Sequence, residues 1–252
     1  MNETFIHLNE THSTNSYLRE LIMREKEQPE GTVVITDYQT AGRGQKGNSW
    51  ESERGKNLTF SILLHPNHIP PGKQFILSQL ISIAIVGVLK KYDRHFTIKW
   101  PNDILFRQKK LCGILAELVK NGTRTMTVIG IGMNVNAAEV SDAWMQRATS
   151  LFIETRAVTD VNELGACIAE HVHERVNMLK QGEKDRILWD YINNCSTLNQ
   201  EITIHGTDGS KVKAFAEGID EHGRLIAAFP NGETKTVDAA DVSVRTAERM
   251  PE

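Results

Sequence analysis

With 252 residues, 40% of them hydrophobic and 24% charged, the chain has ordinary globular composition and room for one large core plus a small second unit. A net charge of −3 argues against bulk electrostatic binding to nucleic acid or to an anionic membrane, so any cationic function must be local. Cys112, Cys167 and Cys195 are odd in number and form no C-x-x-C pair, which excludes a disulfide framework and points to a reduced, cytoplasmic compartment.

The opening "MNETFIHLNE" has acidic residues and no apolar core of signal-peptide length. A short strand is expected at Phe5 to Leu8. In "THSTNSYLRELIMREKEQ", Ser13, Thr14 and Asn15 stand as capping residues before apolar Tyr17, Leu18, Leu21 and Ile22, predicting a helix that ends before Pro29 and Gly31. Strands follow at 32–38 and 57–64. The run "FILSQLISIAIVGVL" (75–89) is shorter than a bilayer span and contains Ser78, Gln79 and Ser82, so it reads as a buried helix over about 73–91. "TIKW" (97–100), "DILF" (103–106), "KLCGILAELV" (110–119) and "TMTVIGIGMNV" (125–135) have strand character, with "RQKK" and "KNGTR" as hairpin turns.

From Asp160 to Leu179, Val161, Leu164, Ile168, Val172, Val176 and Leu179 fall at helical spacing, with Asp160 and Glu163 as a capping-box-like start. A second helix through Trp189 and Ile192 follows. His171 and His173 face different directions on the first of these helices, and no metal ligand set is assigned. Beyond Asn199 the pattern changes to short alternating strands, "EITIH", "KVKAFAEGI", "RLIAAF", "TKTVD" and "DVSVR", a small all-β unit that leans on its neighbour for stability. The expected fold is α+β, a mixed, mainly antiparallel sheet packed with helices, divided into residues 1–197 and 198–252.

Four polar clusters interrupt these elements: "STN" (13–15), "QTAGRGQKGNSW" (39–50), "KWPND" (99–103) with "KKLCGILAE" (109–117), and "GIGMNVN" (130–136). The second holds a literal G-x-G-x-x-G at Gly42, Gly44 and Gly47. A dinucleotide turn would need a helix directly after it, yet "NSWESERGKN" (48–57) has no apolar helical face. With Arg43, Lys46, Arg54 and Lys56, this segment reads as a flexible cationic flap over an anion.

In order and spacing, these clusters closely resemble the biotin protein ligases over nearly the whole chain. The most specific parts are the "GRGxxG" loop followed by Trp50, the "KWPND" block, the "KLCGIL" block ending in Glu117, and the "GIGMNVN" strand end; the tail at 200–246 resembles the family's SH3-like C-terminal domain. The resemblance implies a class II synthetase-like catalytic domain and a small SH3-like barrel. It also implies an enzyme that joins biotin to ATP as biotinyl-5′-AMP, with Mg²⁺, and then transfers biotin to a lysine of a biotin carboxyl carrier protein.

By the same resemblance Ser13, Thr14, Asn15, Gln39, Gly42, Arg43, Lys110 and Gly113 bind biotin. Gly44, Gln45, Lys46, Trp50, Asn102 and Asn134 line the adenylate, with Trp50 either stacking on adenine or serving the core. Arg43 and Lys110 hold carboxylate and phosphate where negative charge converges and grows. The acceptor lysine must lose a proton to react, because an unperturbed amine has a pKa near 10.4. Asp103 steers that proton or fixes the Lys110 or Arg43 side chain; Lys99 supports the phosphates or the fold. Many family members carry a second arginine where this chain has Gln45, a loss for which Lys46 compensates in part. "STN" begins only a dozen residues in, so no DNA-binding domain and no DNA or membrane partner is expected, and a homodimer is compatible with the sequence. The rival readings are a lipoate-type protein ligase and, from a different class, a nucleic-acid-binding adaptor.

Overall fold

The computed structural model describes residues 4–24, 28–67, 69–70, 72–140, 147–239 and 242–246. The first sheet is built from strands β1 (Phe5–Leu8), β2 (Val33–Thr36), β3 (Leu58–Leu64), β4 (Phe96–Lys99), β5 (Asp103–Phe106), β6 (Lys109–Asn121) and β7 (Arg124–Met133). Their spatial order is β1-β2-β3-β7-β6-β5-β4. Only the β1–β2 pair is parallel, so the sheet is mixed and mainly antiparallel, as the short connections between the strand patterns predict. The long β6–β7 hairpin turns at Gly122, whose φ of +61° falls where a side chain would be strained.

Helices cover both faces of this sheet. The apolar residues of α2 (Phe75–Leu89) surround the helix on nearly every side, so it is buried rather than amphipathic. Together with α4 (Val161–Lys180) and α5 (Lys184–Asn194) it forms the main core against Phe60, Ile98, Ile114 and Ile129. Asp160 caps α4 as expected, its side chain accepting from the backbone N–H of Asn162 and Glu163. On the opposite face α1 (Thr14–Arg24) packs Leu18 and Ile22 against Val34, Leu63, Val119 and Val128. The expected continuation of α1 through 25–27, and Asp241 of the last expected strand, lie outside the described residues.

The expected helix through Trp189 and Ile192 is α5, which buries Ile187 and Tyr191 and leaves Trp189 and Ile192 66% and 44% exposed. A five-residue helix α3 (Leu151–Thr155) also appears, capped by Ser150, too short for periodicity to reveal.

A second, antiparallel sheet, ordered β11-β10-β9-β8-β12, comprises β8 (Gln200–Gly206), β9 (Lys211–Ile219), β10 (Leu225–Ala228), β11 (Thr234–Val237) and β12 (Val242–Thr246). Its inward residues Ile202, Ile204, Ala216 and Leu225 join the main core. Trp100 links the two sheets: it is 1% exposed, its ring Nε1 donates to Gly223 O at 2.9 Å, and its backbone N–H donates to Thr197 Oγ1 at 3.0 Å. Gly223 has to be small here, because a Cβ would stand 2.1 Å from the Phe75 ring.

Candidate active site

The α1 face of the first sheet is covered by α1 only up to that helix's N-terminus. Beyond it lies an open cleft, and the strand residues facing it include Gly113 on β6 and Gly130 and Gly132 on β7. Glycine alternating with isoleucine in "VIGIGM" strips one face of β7 of side chains, so other groups approach the backbone closely. Gly113 and Gly132 are cross-strand partners. Together they form a platform for the Trp50 ring: a Cβ at Gly132 would meet Trp50 Cε2 at 2.4 Å, and one at Gly113 would meet Cζ3 at 3.3 Å. A Cβ at Gly130 would meet Asn15 Oδ1 at 2.4 Å.

The floor is a buried polar network. Ser13, Thr14 and Asn15 are only 3%, 4% and 3% exposed, which a self-capping turn would not require. Gln39 Oε1 accepts from the Thr14 N–H at 2.8 Å and from its hydroxyl at 3.2 Å. Ser61 Oγ, fully buried on β3, lies 2.6 Å from Asn15 Oδ1 and 2.7 Å from Thr14 Oγ1, and its single proton serves one of them at a time. Asn15 Nδ2 donates to Glu117 Oε2 at 2.8 Å and to Leu115 O at 3.3 Å. Ser13, Thr14, Asn15 and Gln39 all line the cleft, and Asn15 in addition ties α1 to β3 and β6 through these bonds.

The glycine-rich segment is a flap across this floor, with a single 3-10 turn at Gln45–Gly47. Its base is closed by Trp50 N–H donating to Gly42 O at 2.9 Å and Gly44 N–H donating to Asn48 O at 2.7 Å. Arg43 Nη2 reaches the floor at Glu117 Oε2, 2.6 Å away. Gly44, Gln45 and Trp50 also line the cleft, and the buried Trp50 Nε1 has no hydrogen-bond partner among the described residues. Lys46 does not join them. Its backbone is left-handed (φ +56°) and its Nζ donates to Val242 O on β12 at 2.7 Å.

On the other side of the cleft, Lys110 Nζ pairs with Asp103 Oδ1 at 2.7 Å and lies 5.7 Å from the Trp50 ring centroid. Of the partners expected for Asp103, it is Lys110 that it meets, while Arg43 is held by Glu117. Lys99, the register partner of Asp103, has its amine pushed below the usual lysine range chiefly by burial. Asp103 opposes that shift, and the Lys110 and Arg245 charges add to it. Burial pushes the Cys112 thiol far up, so it is no nucleophile. Asn102 lines the cleft and clamps the β4–β5 turn onto β6, Nδ2 donating to Ile114 O at 2.7 Å. Asn134 follows the end of β7: its side-chain Nδ2 donates to Thr149 O at 3.0 Å and its backbone carbonyl accepts from Leu151 N–H at 3.1 Å, which anchors the chain entering α3.

Sequence reasoning assigned no role to Ser61, Glu117, Gly130 or Gly132. The signals were present, namely a hydroxyl and a carboxylate inside apolar strands and glycines two apart. The arrangement is an open cleft lined by neutral polar groups and by two cations, Arg43 held beside the polar floor at Glu117 and Lys110 across from it at Asp103, suited to a ligand with a polar uncharged head and an anionic tail.

The profile of the Biotin/lipoate A/B protein ligase family matches residues 8–134, and that of the Biotin protein ligase C terminal domain matches residues 197–245. The bifunctional ligase/repressor BirA of Bacillus subtilis is 34% identical over 86% of this chain and 67% of its own length. The biotin--[acetyl-CoA-carboxylase] ligase of Mycobacterium tuberculosis is 29% identical over 84% of this chain and 79% of its own. Among solved structures, the biotin protein ligase from Aquifex aeolicus in complex with biotin and ATP superposes with a TM-score of 0.83 at 27% identity, covering 97% of this chain and 99% of that one.

Proposed function

We infer the activity from one premise: the chain belongs to the Biotin/lipoate A/B protein ligase family and carries the C-terminal domain of its biotin protein ligases. It is a biotin protein ligase that joins biotin to ATP and passes the biotinyl group to an acceptor protein. The observation that carries this reading is the cleft itself, lined by the cations Arg43 and Lys110 together with the neutral polar side chains of Ser13, Thr14 and Gln39.

In the first half-reaction a biotin carboxylate oxygen attacks the α-phosphorus of ATP, and the bond to the β-phosphate bridging oxygen breaks, releasing pyrophosphate. Two anions meet at this point, so cations aimed at it stabilise the transition state more than the ground state. Arg43 and Lys110 take that role, and Ser13, Thr14 and Gln39 receive the ureido head. The carboxylate is already ionised at neutral pH and needs no base. Flap closure over the mixed anhydride excludes water. In the second half the acceptor amine attacks the acyl carbon, AMP leaves with the bonding pair, and the amine's proton departs toward Asp103 or solvent. Acceptors are biotin carrier domains of carboxylases.

Among the described residues no cluster of three His, Cys, Asp or Glu side chains could hold a metal. Mg²⁺ would therefore be carried by the nucleotide's phosphates, as is usual for that ion. No helix among them is long and apolar enough to cross a membrane; we place the enzyme in the cytoplasm, where ATP and carboxylases are found, and set the domain boundary at 197/198. The test is incubation with biotin, ATP and Mg²⁺, with and without a carrier domain, followed by intact mass. Adenylate without carrier and one biotin per carrier are expected. Labelling by lipoate in preference to biotin would replace this reading with the lipoate one.

A further inference from the structure

We propose that Glu117 is a positioning residue for biotin activation, aiming the flap cation Arg43 over the cleft and tying it to the rigid floor; this rests on the ligase reading above. One carboxylate oxygen, Oε2, accepts from both Arg43 Nη2 at 2.6 Å and Asn15 Nδ2 at 2.8 Å. Asn15 is itself fixed by Ser61 and by Leu115 O, over the space that Gly130 leaves open. The carboxylate therefore joins a side chain anchored in α1 and β3 to a flap whose own base is closed by the backbone bonds of Gly42 with Trp50 and Gly44 with Asn48.

The charge of Glu117 makes the case stronger. Two anions are brought together in this cleft, and a carboxylate at its edge, 23% exposed on its side chain, repels both. Such a group weakens binding unless it contributes geometry. Arginine offers five N–H donors in a rigid plane. Holding one Nη against Glu117 anchors that end of the guanidinium and leaves its remaining edge for the substrate carboxylate or phosphate. The pair is too exposed to matter much for stability, so its consequence is orientation.

The test is a double-mutant cycle of Glu117→Ala and Arg43→Ala, reading single-turnover adenylate formation and the escape rate of preformed adenylate, with melting temperature recorded alongside. A residue acting through Arg43 changes these rates about tenfold or more when removed from wild type, and hardly at all when Arg43 is already alanine. Glu117→Gln, which keeps the shape and an acceptor for both donors, should fall between wild type and alanine. It carries the same cycle should the alanine variant unfold. Wild-type rates in the Glu117 variants, or effects that multiply in the double variant, would overturn the proposal. Wild-type protein that makes no adenylate would instead remove the ligase reading, and this inference with it.

Discussion

Replacing Gly42 by alanine should disable activation while leaving the fold largely intact. The added Cβ would stand 2.2 Å from the carbonyl oxygen of Trp50 and 3.0 Å from Gln39 Nε2. Ordinary contact begins at 3.4 Å, so the Trp50 backbone must retreat by 3.4 − 2.2, or about 1.2 Å. The obstacle is main chain, which cannot rotate away, and the move breaks the 2.9 Å bond from Trp50 N–H to Gly42 O. One lost hydrogen bond costs about 1 kcal/mol, and with partial loss of the Trp50 contacts the stability change should be about 1–2 kcal/mol. Catalysis suffers more, since a displacement of about 1 Å in a positioning element can cost about a hundredfold. Gly47→Ala is the control: it meets nothing within 4 Å but has φ +78°, so it adds local strain of about 1 kcal/mol without moving Trp50. Pyrophosphate release in a single turnover, with thermal unfolding of each variant, reads both quantities. A Gly42→Ala protein with the wild-type rate, or a Gly47→Ala protein equally impaired, would refute the steric reasoning.

Lys110→Ala should nearly abolish adenylate formation, while the loss of a partly exposed ion pair with Asp103 changes stability by no more than about 1 kcal/mol; normal pyrophosphate release would sink this assignment. Gln45→Arg should slow escape of preformed adenylate, about tenfold for each 1.4 kcal/mol gained, and more so at low salt. Because Lys46 is engaged with Val242 O, Lys46→Ala should alter that escape less than Gln45→Arg does, and a larger, salt-dependent effect at Lys46 would reverse the assignment. His65 gives a pH signature. Burial lowers its pKa below 6.5, Glu30 opposes the shift, and Arg124 and Lys180 add to it. The folded state thus favours the neutral ring, and its stability contribution is complete above about pH 6.5 and is lost as pH falls through the lower folded value. His65→Gln should flatten the fall in melting temperature between pH 7.5 and 5.5, and an unchanged slope would show that other groups set it.

The sequence alone determined the elements whose signal is local. The apolar run of α2 has no polar face, Asp160 stands where α4 needs an acceptor, Gly122 supplies the left-handed turn of the β6–β7 hairpin, and the change to short alternating strands after Asn199 marks the second sheet. Most of the cleft residues were legible for a related reason: polar groups and glycines that a plain strand or helix does not need stood out against the pattern. What each touches was not legible. Arg43 meets Glu117 rather than Asp103, Gly113 faces Gly132, Lys46 turns to β12 and Asn134 to Thr149. Those partners are set by strand register and by the docking of segments distant in sequence. A shift of one residue in register exchanges the two faces of a strand, so only the folded sheet, with α1 covering part of one face and the flap crossing the rest, decides which side chains meet.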